Sequence, residues 1–121
     1  MDSAKTQKGV VFSVRCPYIQ RTVVLYRQTW EEHILPQRPE LKHHVDLIKK
    51  ILQEESSDTL VSQKIDNPNK IALQKKCPYF LPYNQYLRIA LKVLGNKELA
   101  IVTTVIPVNS IQSSGVKKYE R

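Results

Sequence analysis

The segment Leu99–Val108 constrains the fold more than any other part of the chain. It is apolar along its whole length apart from two adjacent threonines, Thr103 and Thr104. An apolar run without alternation predicts a central strand that is buried on both sides. The preceding segment, Tyr86–Val93, alternates instead, with leucine, isoleucine or valine at every second position and arginine and lysine among the residues between. This alternation predicts a half-buried strand with one exposed, basic face.

A helix is predicted in the middle of the chain. Leu41, Val45, Ile48 and Leu52 recur at the helical spacing, and the intervening residues are mostly polar. Such a stripe is typical of an amphipathic helix that packs on a core, here over residues 39–54.

Shorter segments rich in β-branched residues predict the remaining strands. Residues 9–15 and 22–26 are two of them, and residues 60–65 and 71–76 flank a turn-forming sequence that favours a hairpin. Residues 116–119 add at most an edge strand. Because helices come early and strands late, the sequence predicts an α+β domain in which N-terminal helices pack on one face of a four- to five-stranded antiparallel sheet.

The length is that of a single domain, since 121 residues suffice for one core and not for two. Residues 1–8 and 113–121 are predicted to be flexible tails. No apolar run approaches the roughly 20 residues that cross a bilayer, and the N-terminus is polar, so we expect a cytoplasmic protein without a membrane segment or signal peptide. Cys16 and Cys77 are expected to be reduced, buried thiols, with a disulfide as the alternative.

A net charge of +8 favours a polyanionic partner. Lysine and arginine attract phosphate groups through charge neutralisation and counterion release, whatever the base sequence. RNA is one such partner. An acidic protein, such as an antitoxin or immunity protein, is another, and many small basic proteins merely have a well-solvated surface. Charge alone does not separate these alternatives.

A histidine lies near the end of a short predicted helix. Thr29 and Glu32 have the spacing of a capping box, which predicts a helix that begins at Trp30. Trp30 and Ile34 share one face of this helix and should anchor it on the core. His33 is then expected beside that face, at the rim of the core.

The pattern W-x-x-H-I-L-x-x-R-P-E-L over residues 30–41 resembles the signature of small phage and plasmid nucleases that are grouped with barnase, EndoU, colicin and RelE-type RNases. His33 matches the first histidine of that signature, whereas Gln37 and Arg38 stand where the relatives more often have arginine and histidine. A weaker similarity covers the apolar strand at residues 100–104 and the tail at residues 115–120. The resemblance implies the RNase fold of that superfamily and cleavage of RNA without a metal ion.

Metal-free RNA cleavage needs a proton acceptor, a proton donor and fixed positive charge. His33 is the candidate acid or base, because imidazole titrates nearest neutrality, and Arg38 is the candidate phosphate clamp. The resemblance adds Thr103 as a donor to a phosphate oxygen. No glycine-rich phosphate loop and no cluster of metal ligands is visible in the sequence, so we expect neither a cofactor nor a metal ion.

Each of these three residues also has a purely structural interpretation. His33 suits the edge of a core or a helix cap. Arg38 suits an ion pair with Glu32 or Glu40, and Thr103 suits a strand in which it has no chemical role.

Five further residues are candidates for RNA binding: Lys76, Tyr83, Tyr86, Arg88 and Lys92. Arg88 and Lys92 share the exposed face of one predicted strand, where they can contact a phosphate backbone. Tyrosines interleaved with cations can stack bases. The alternatives are a solvated sheet face for Lys92 and a loop folded over the core edge for the tyrosines.

Together these features predict a metal-independent endoribonuclease, of the kind found as the toxin of a toxin–antitoxin or mobile-element system. The alternative is a non-catalytic RNA- or protein-binding module on the same fold, which the departure at Gln37 and Arg38 favours. A DNA-binding regulator is disfavoured, because no helix-turn-helix with a basic recognition helix is evident.

Overall fold

The computed structural model describes residues 9–64, 66–76, 86–95, 98–108 and 116–118. Within these ranges, seven strands form one sheet, and the helical segments lie between the second and third strands in the chain. The strands are β1 (Val10–Cys16), β2 (Arg21–Tyr26), β3 (Thr59–Lys64), β4 (Asn67–Lys76), β5 (Tyr86–Val93), β6 (Leu99–Val108) and β7 (Val116–Lys118). Their order across the sheet is β1-β2-β6-β5-β4-β3-β7.

The sheet is mixed, because β2 and β6 run parallel, with Val23 beside Ala100, whereas the other neighbouring pairs run antiparallel. The prediction of N-terminal helices on a four- to five-stranded antiparallel sheet is therefore wrong. The first hairpin, β1 and β2, precedes the helices and belongs to the same sheet. Hydrophobic periodicity identifies strands but does not say which strands pair, and β2 is separated from β6 by the helices and three strands.

The helical segments are shorter and less regular than the sequence predicts. They are α1 (Arg27–Thr29), which continues into a π-helical turn (Trp30–Ile34), a 3₁₀ turn (Pro39–His43) and α2 (Val45–Gln53). The helix predicted over residues 39–54 is broken at His44, whose backbone angles (φ −119°, ψ 21°) are not helical. The predicted capping box is also wrong: Thr29 has helical backbone angles and forms no side-chain cap, because the helix already begins after Tyr26.

The core lies between this helical layer and one face of the sheet. The alternation predicted for β5 is confirmed, because its apolar side chains are buried in this core, namely Leu87, Ile89, Leu91 and Val93. The prediction for β6 is only half right. One face of β6 is buried, while Ile101, Thr104 and Ile106 on the other are only partly covered and Thr103 is exposed.

Two contacts attach the connecting segments to the core. Trp30 and Ile34 are 6% and 3% exposed, which confirms the predicted anchoring of the π-helical turn. Tyr18, in the turn between β1 and β2, donates its hydroxyl to the Glu54 carbonyl (2.9 Å) and accepts from the Ser56 N–H (2.6 Å). The tyrosine thus joins the first hairpin to the end of α2.

Cys16 is a free, buried thiol, as predicted, and burial raises its pKa. Cys77, the loop at residues 77–85 and the predicted tails, apart from β7, lie outside the described residues. Within the part of the chain that is described, no helix is long and apolar enough to cross a membrane.

Candidate nucleic-acid interface

One face of the sheet is basic. Side chains alternate along each strand, so the residues between the core positions of β4 and β5 project from the side opposite the helices. They include Lys70, Lys76, Arg88 and Lys92, and we call the surface that carries them the basic face. Three of the four are exposed, and Arg88 is half-buried.

Two of these cations face each other directly. Lys70 on β4 is the register partner of Lys92 on β5, and both side chains are exposed. Residues opposite each other in an antiparallel pair have Cβ atoms about 4.5–5.5 Å apart, and like charges there are destabilising. None of the ion pairs formed among the described residues involves either lysine. The pair therefore concentrates positive charge that a bound anion would neutralise.

Arg88 adds a third cation on the same face. Its Nε atom is buried and has no hydrogen-bond partner among the residues that the structure describes. Its register partner, Gln74, is fully buried and has a polar partner of its own. A buried donor without an acceptor carries a desolvation cost of about 1–3 kcal/mol. Since Nε is buried, the guanidinium would donate to an anion through its other N–H groups.

Carboxylates are absent from the strands altogether. Every Asp and Glu of the described residues lies in a helical segment or a turn: Glu31, Glu32, Glu40, Asp46, Glu54, Glu55, Asp58, Asp66 and Glu98. The strands contain only lysine and arginine as charged residues. The net charge of the protein is therefore concentrated on the sheet, and the helical layer contains both signs.

Lys75 is a strand lysine that has an ion-pair partner, unlike Lys70 and Lys92 of the basic face, which have none among the described residues. It lies one residue from Lys76 but alternates to the helix-covered side, where its Nζ donates to Asp58 Oδ1 (2.6 Å) and to Ser56 Oγ (3.0 Å). The hydrogen bond from Lys75 lowers the pKa of Asp58, and a hydrogen bond from Ser56 contributes. Lys75 thus has a carboxylate partner within the protein, at the exposed side chain of Asp58.

The less covered part of the basic face lies on β5 and β6. On the β3 and β4 side, Ser62, Ala72 and Gln74 are buried, whereas Ala90 on β5 is only partly covered. A β-bulge in β6 falls at Thr103, because Ala90 pairs with Thr104 and Leu91 pairs with Val102. The Thr103 hydroxyl donates to the Ala90 carbonyl (3.2 Å). Thr103 is exposed, so its oxygen is open to a ligand as an acceptor.

The structure brings together four of the five residues predicted to bind RNA. Lys76 is the register partner of Tyr86 at one end of the face, and Arg88 and Lys92 follow along β5. Tyr83 lies outside the described residues. Sequence reasoning missed Lys70, although the predicted hairpin signal at residues 66–69 places it in β4. Only the register between β4 and β5 shows that Lys70 faces Lys92.

The predicted catalytic pair lies on the π-helical turn and just beyond it. His33 is exposed, and Arg38 is exposed directly before the 3₁₀ turn, with its N–H donating to the Ile34 carbonyl (2.9 Å). Arg38 forms no ion pair with Glu32 or Glu40, so that structural alternative is not seen. The π-helical turn contacts β6, but none of the described hydrogen bonds or ion pairs connects His33 or Arg38 to the basic face.

No family model, curated protein or solved structure matches this chain. The resemblance of residues 30–41 to the nuclease signature therefore stays a prediction. Among the described residues, no three His, Cys, Asp or Glu side chains are close enough together to hold a metal ion. Two groups of residues therefore bear on the function, the basic face and the exposed turn with His33 and Arg38.

Proposed function

We propose that this protein binds RNA through its basic face. The observation that supports this most directly is the group of three cations, Lys70, Arg88 and Lys92, on strands without a single carboxylate. A phosphate backbone supplies repeated negative charge at a spacing that a row of surface cations can match. The exposed Thr103 hydroxyl supplies an acceptor for an RNA 2′-hydroxyl, the group that distinguishes RNA from DNA.

The test is a charge reversal on the basic face, matched by one on the helical layer. Lys70→Glu/Lys92→Glu should weaken binding of an oligoribonucleotide on the order of tenfold. It should also make the slope of the logarithm of the association constant against the logarithm of salt concentration less steep by about 1.4. Each phosphate contact to a single strand contributes about 0.7 to the magnitude of that slope. Lys42→Glu/Lys50→Glu changes the net charge equally on exposed helical positions and is the control. Fluorescence anisotropy over a salt series measures both quantities.

Equal losses in the two double variants would show that only net charge matters and would contradict the proposal. Wild-type affinity that barely changes with salt would point to an acidic protein partner instead of RNA.

Metal-independent cleavage of RNA is a second candidate function, favoured by the exposed turn. His33 and Arg38 are both accessible, and buried Trp30 and Ile34 anchor the turn that carries His33. An accessible imidazole can move a proton, and a guanidinium that has no ion pair among the described residues can stabilise a developing phosphorane. The proposed reaction is attack of the RNA 2′-hydroxyl on the adjacent phosphate, with the 5′-oxygen leaving and taking a proton.

Cleavage is tested with purified protein and transfer RNA in the presence of EDTA. The expected products have 2′,3′-cyclic phosphate ends. His33→Ala should lose on the order of a hundredfold in rate, and Arg38→Lys should not restore what Arg38→Ala loses, because lysine lacks the planar fork. Binding by the basic face with no cleavage in wild type would rule out this second function and leave the first intact.

A further inference from the structure

Tyr26 is an exposed aromatic residue at the end of β2, directly after three buried residues of the same strand. Among the described residues it is the only large hydrophobic side chain that is exposed, at 37%. It is the last residue of β2, and its register partner is Val10 on β1. The helical segment that leads to His33 begins at the next residue. Single exposed apolar residues are common on proteins. The exposure of Tyr26 therefore indicates a binding role only if its position in the sheet brings it close to other binding residues.

The register of the sheet places Tyr26 on the basic face. Val23 and Leu25 of β2 are fully buried against the core, so Val24 and Tyr26 project from the opposite side. Val24 pairs with Ile101 in the parallel ladder. The ladder ends at this pair, and the next residues on the same face beyond it are Tyr26 of β2 and Thr103 of β6, the exposed residue of the bulge.

Tyr26 lies on β2, the strand beyond β6 when the basic face is followed from β5. From Tyr26 the face continues across β6 to Ala90 on β5, two strand spacings or about 10 Å away. Arg88 and Lys92 lie two residues to either side of Ala90. The floor between the tyrosine and the two cations consists of short side chains, and it is not fully covered. An aromatic ring thus stands at one edge of a shallow surface and two cations at the other.

We infer that the basic face is specific for single-stranded RNA, with one unpaired base stacked on the Tyr26 ring and the adjoining phosphates on Arg88 and Lys92. The inference rests on the proposed RNA binding. It adds that the RNA is single-stranded and that Tyr26 is the residue that selects single strands over duplexes. An aromatic platform combined with a cationic groove is the arrangement by which proteins bind single strands without reading their sequence. In a duplex each base is already stacked and paired, so its face is not available to the ring.

The test compares Tyr26→Leu with Tyr26→Phe. Leucine keeps an apolar side chain next to Val10 but has no ring, whereas phenylalanine keeps the ring and loses only the hydroxyl. Tyr26→Leu should raise the Kd for an oligouridine on the order of tenfold, the contribution of one stacked base. It should leave the Kd for an RNA duplex of equal length unchanged. Tyr26→Phe should bind both RNAs as wild type does.

A second measurement detects the stacking itself. An oligouridine with one 2-aminopurine should lose fluorescence when it binds wild type or Tyr26→Phe, and not when Tyr26→Leu is saturated with it. Thermal unfolding of both variants checks that they are folded at the assay temperature.

Three outcomes separate the inference from the proposal on which it rests. If Tyr26→Leu binds oligouridine as tightly as wild type does, the inference is wrong. It is also wrong if the substitution weakens the binding of oligouridine and of the duplex equally. RNA binding itself is still supported in that case, provided that Lys70→Glu/Lys92→Glu loses it. If wild type binds neither RNA, both are wrong.

Discussion

The cross-strand pair of Lys70 and Lys92 should cost stability, and its removal should reveal how much. Lys92→Glu replaces a repulsion by an attraction across β4 and β5. Two unit charges about 6 Å apart in water interact by about 0.7 kcal/mol. Reversing the sign gives about twice that, and the mobility and solvation of exposed side chains reduce the expected gain to about 0.5–1 kcal/mol. In a domain of this size the midpoint of thermal unfolding should rise by about 2–4 °C.

A double-mutant cycle distinguishes this pair from a general effect of net charge. Lys70→Glu should stabilise the protein as Lys92→Glu does, whereas Lys70→Glu/Lys92→Glu restores like charges and should return to the stability of wild type. The departure from additivity should be about 1–2 kcal/mol at low ionic strength. It should almost disappear near 1 M salt, where the Debye length is about 3 Å. Chemical denaturation at both salt concentrations measures the cycle.

Additive effects of the two single variants would show that the two lysine side chains do not interact, and therefore that no repulsion between them lowers the stability of the protein. If the cycle holds and the protein binds RNA as proposed, the single variants should be more stable and should bind RNA less well. Such antagonism is expected when a surface is arranged for a ligand at the expense of stability.

Three further predictions concern residues outside the basic face. Because the pKa of Asp58 is lowered by Lys75, its ionised form stabilises the fold above the ordinary pKa of 3.8, and this contribution is lost as the pH falls through the folded-state pKa. The difference in unfolding free energy between wild type and Asp58→Asn should therefore shrink toward acid pH. Cys16 should resist alkylation in the folded protein at pH 8 and react in denaturant, as peptide mass spectrometry can show, because its thiol is buried and its pKa raised. Trp30→Ala should lose about 3–5 kcal/mol of stability, whereas His33→Ala should change it by less than about 0.5 kcal/mol; equal losses would show that His33 serves helix packing.

Much of the local structure could be predicted from the sequence. The alternation in β5 gives both its core face and its basic face, and the hairpin signal at residues 66–69 gives the pairing of β3 with β4. The break at His44 could not be predicted, because the apolar stripe from Leu41 to Leu52 continues across it while the backbone does not.

The candidate interface needed the tertiary structure. Arg88 and Lys92 are apparent from one strand, but Lys70 joins them only through the register of β4 and β5. Tyr26 joins them through the parallel pairing of β2 with β6, which no local pattern indicates. The exposed partners of a binding surface are therefore the part of the site that periodicity identifies least well.

The parallel pairing of β2 with β6 also sets an order of events during biosynthesis. A ribosome releases β2 early, but β6 emerges only after the helices and three further strands. Until then the inner edge of the first hairpin, which includes Val23 and Leu25, has no partner strand. Nascent chains with such an edge are prone to intermolecular pairing. Stalling translation ahead of Leu99 should therefore leave a chain that cannot complete its sheet and that depends on chaperones to remain unaggregated.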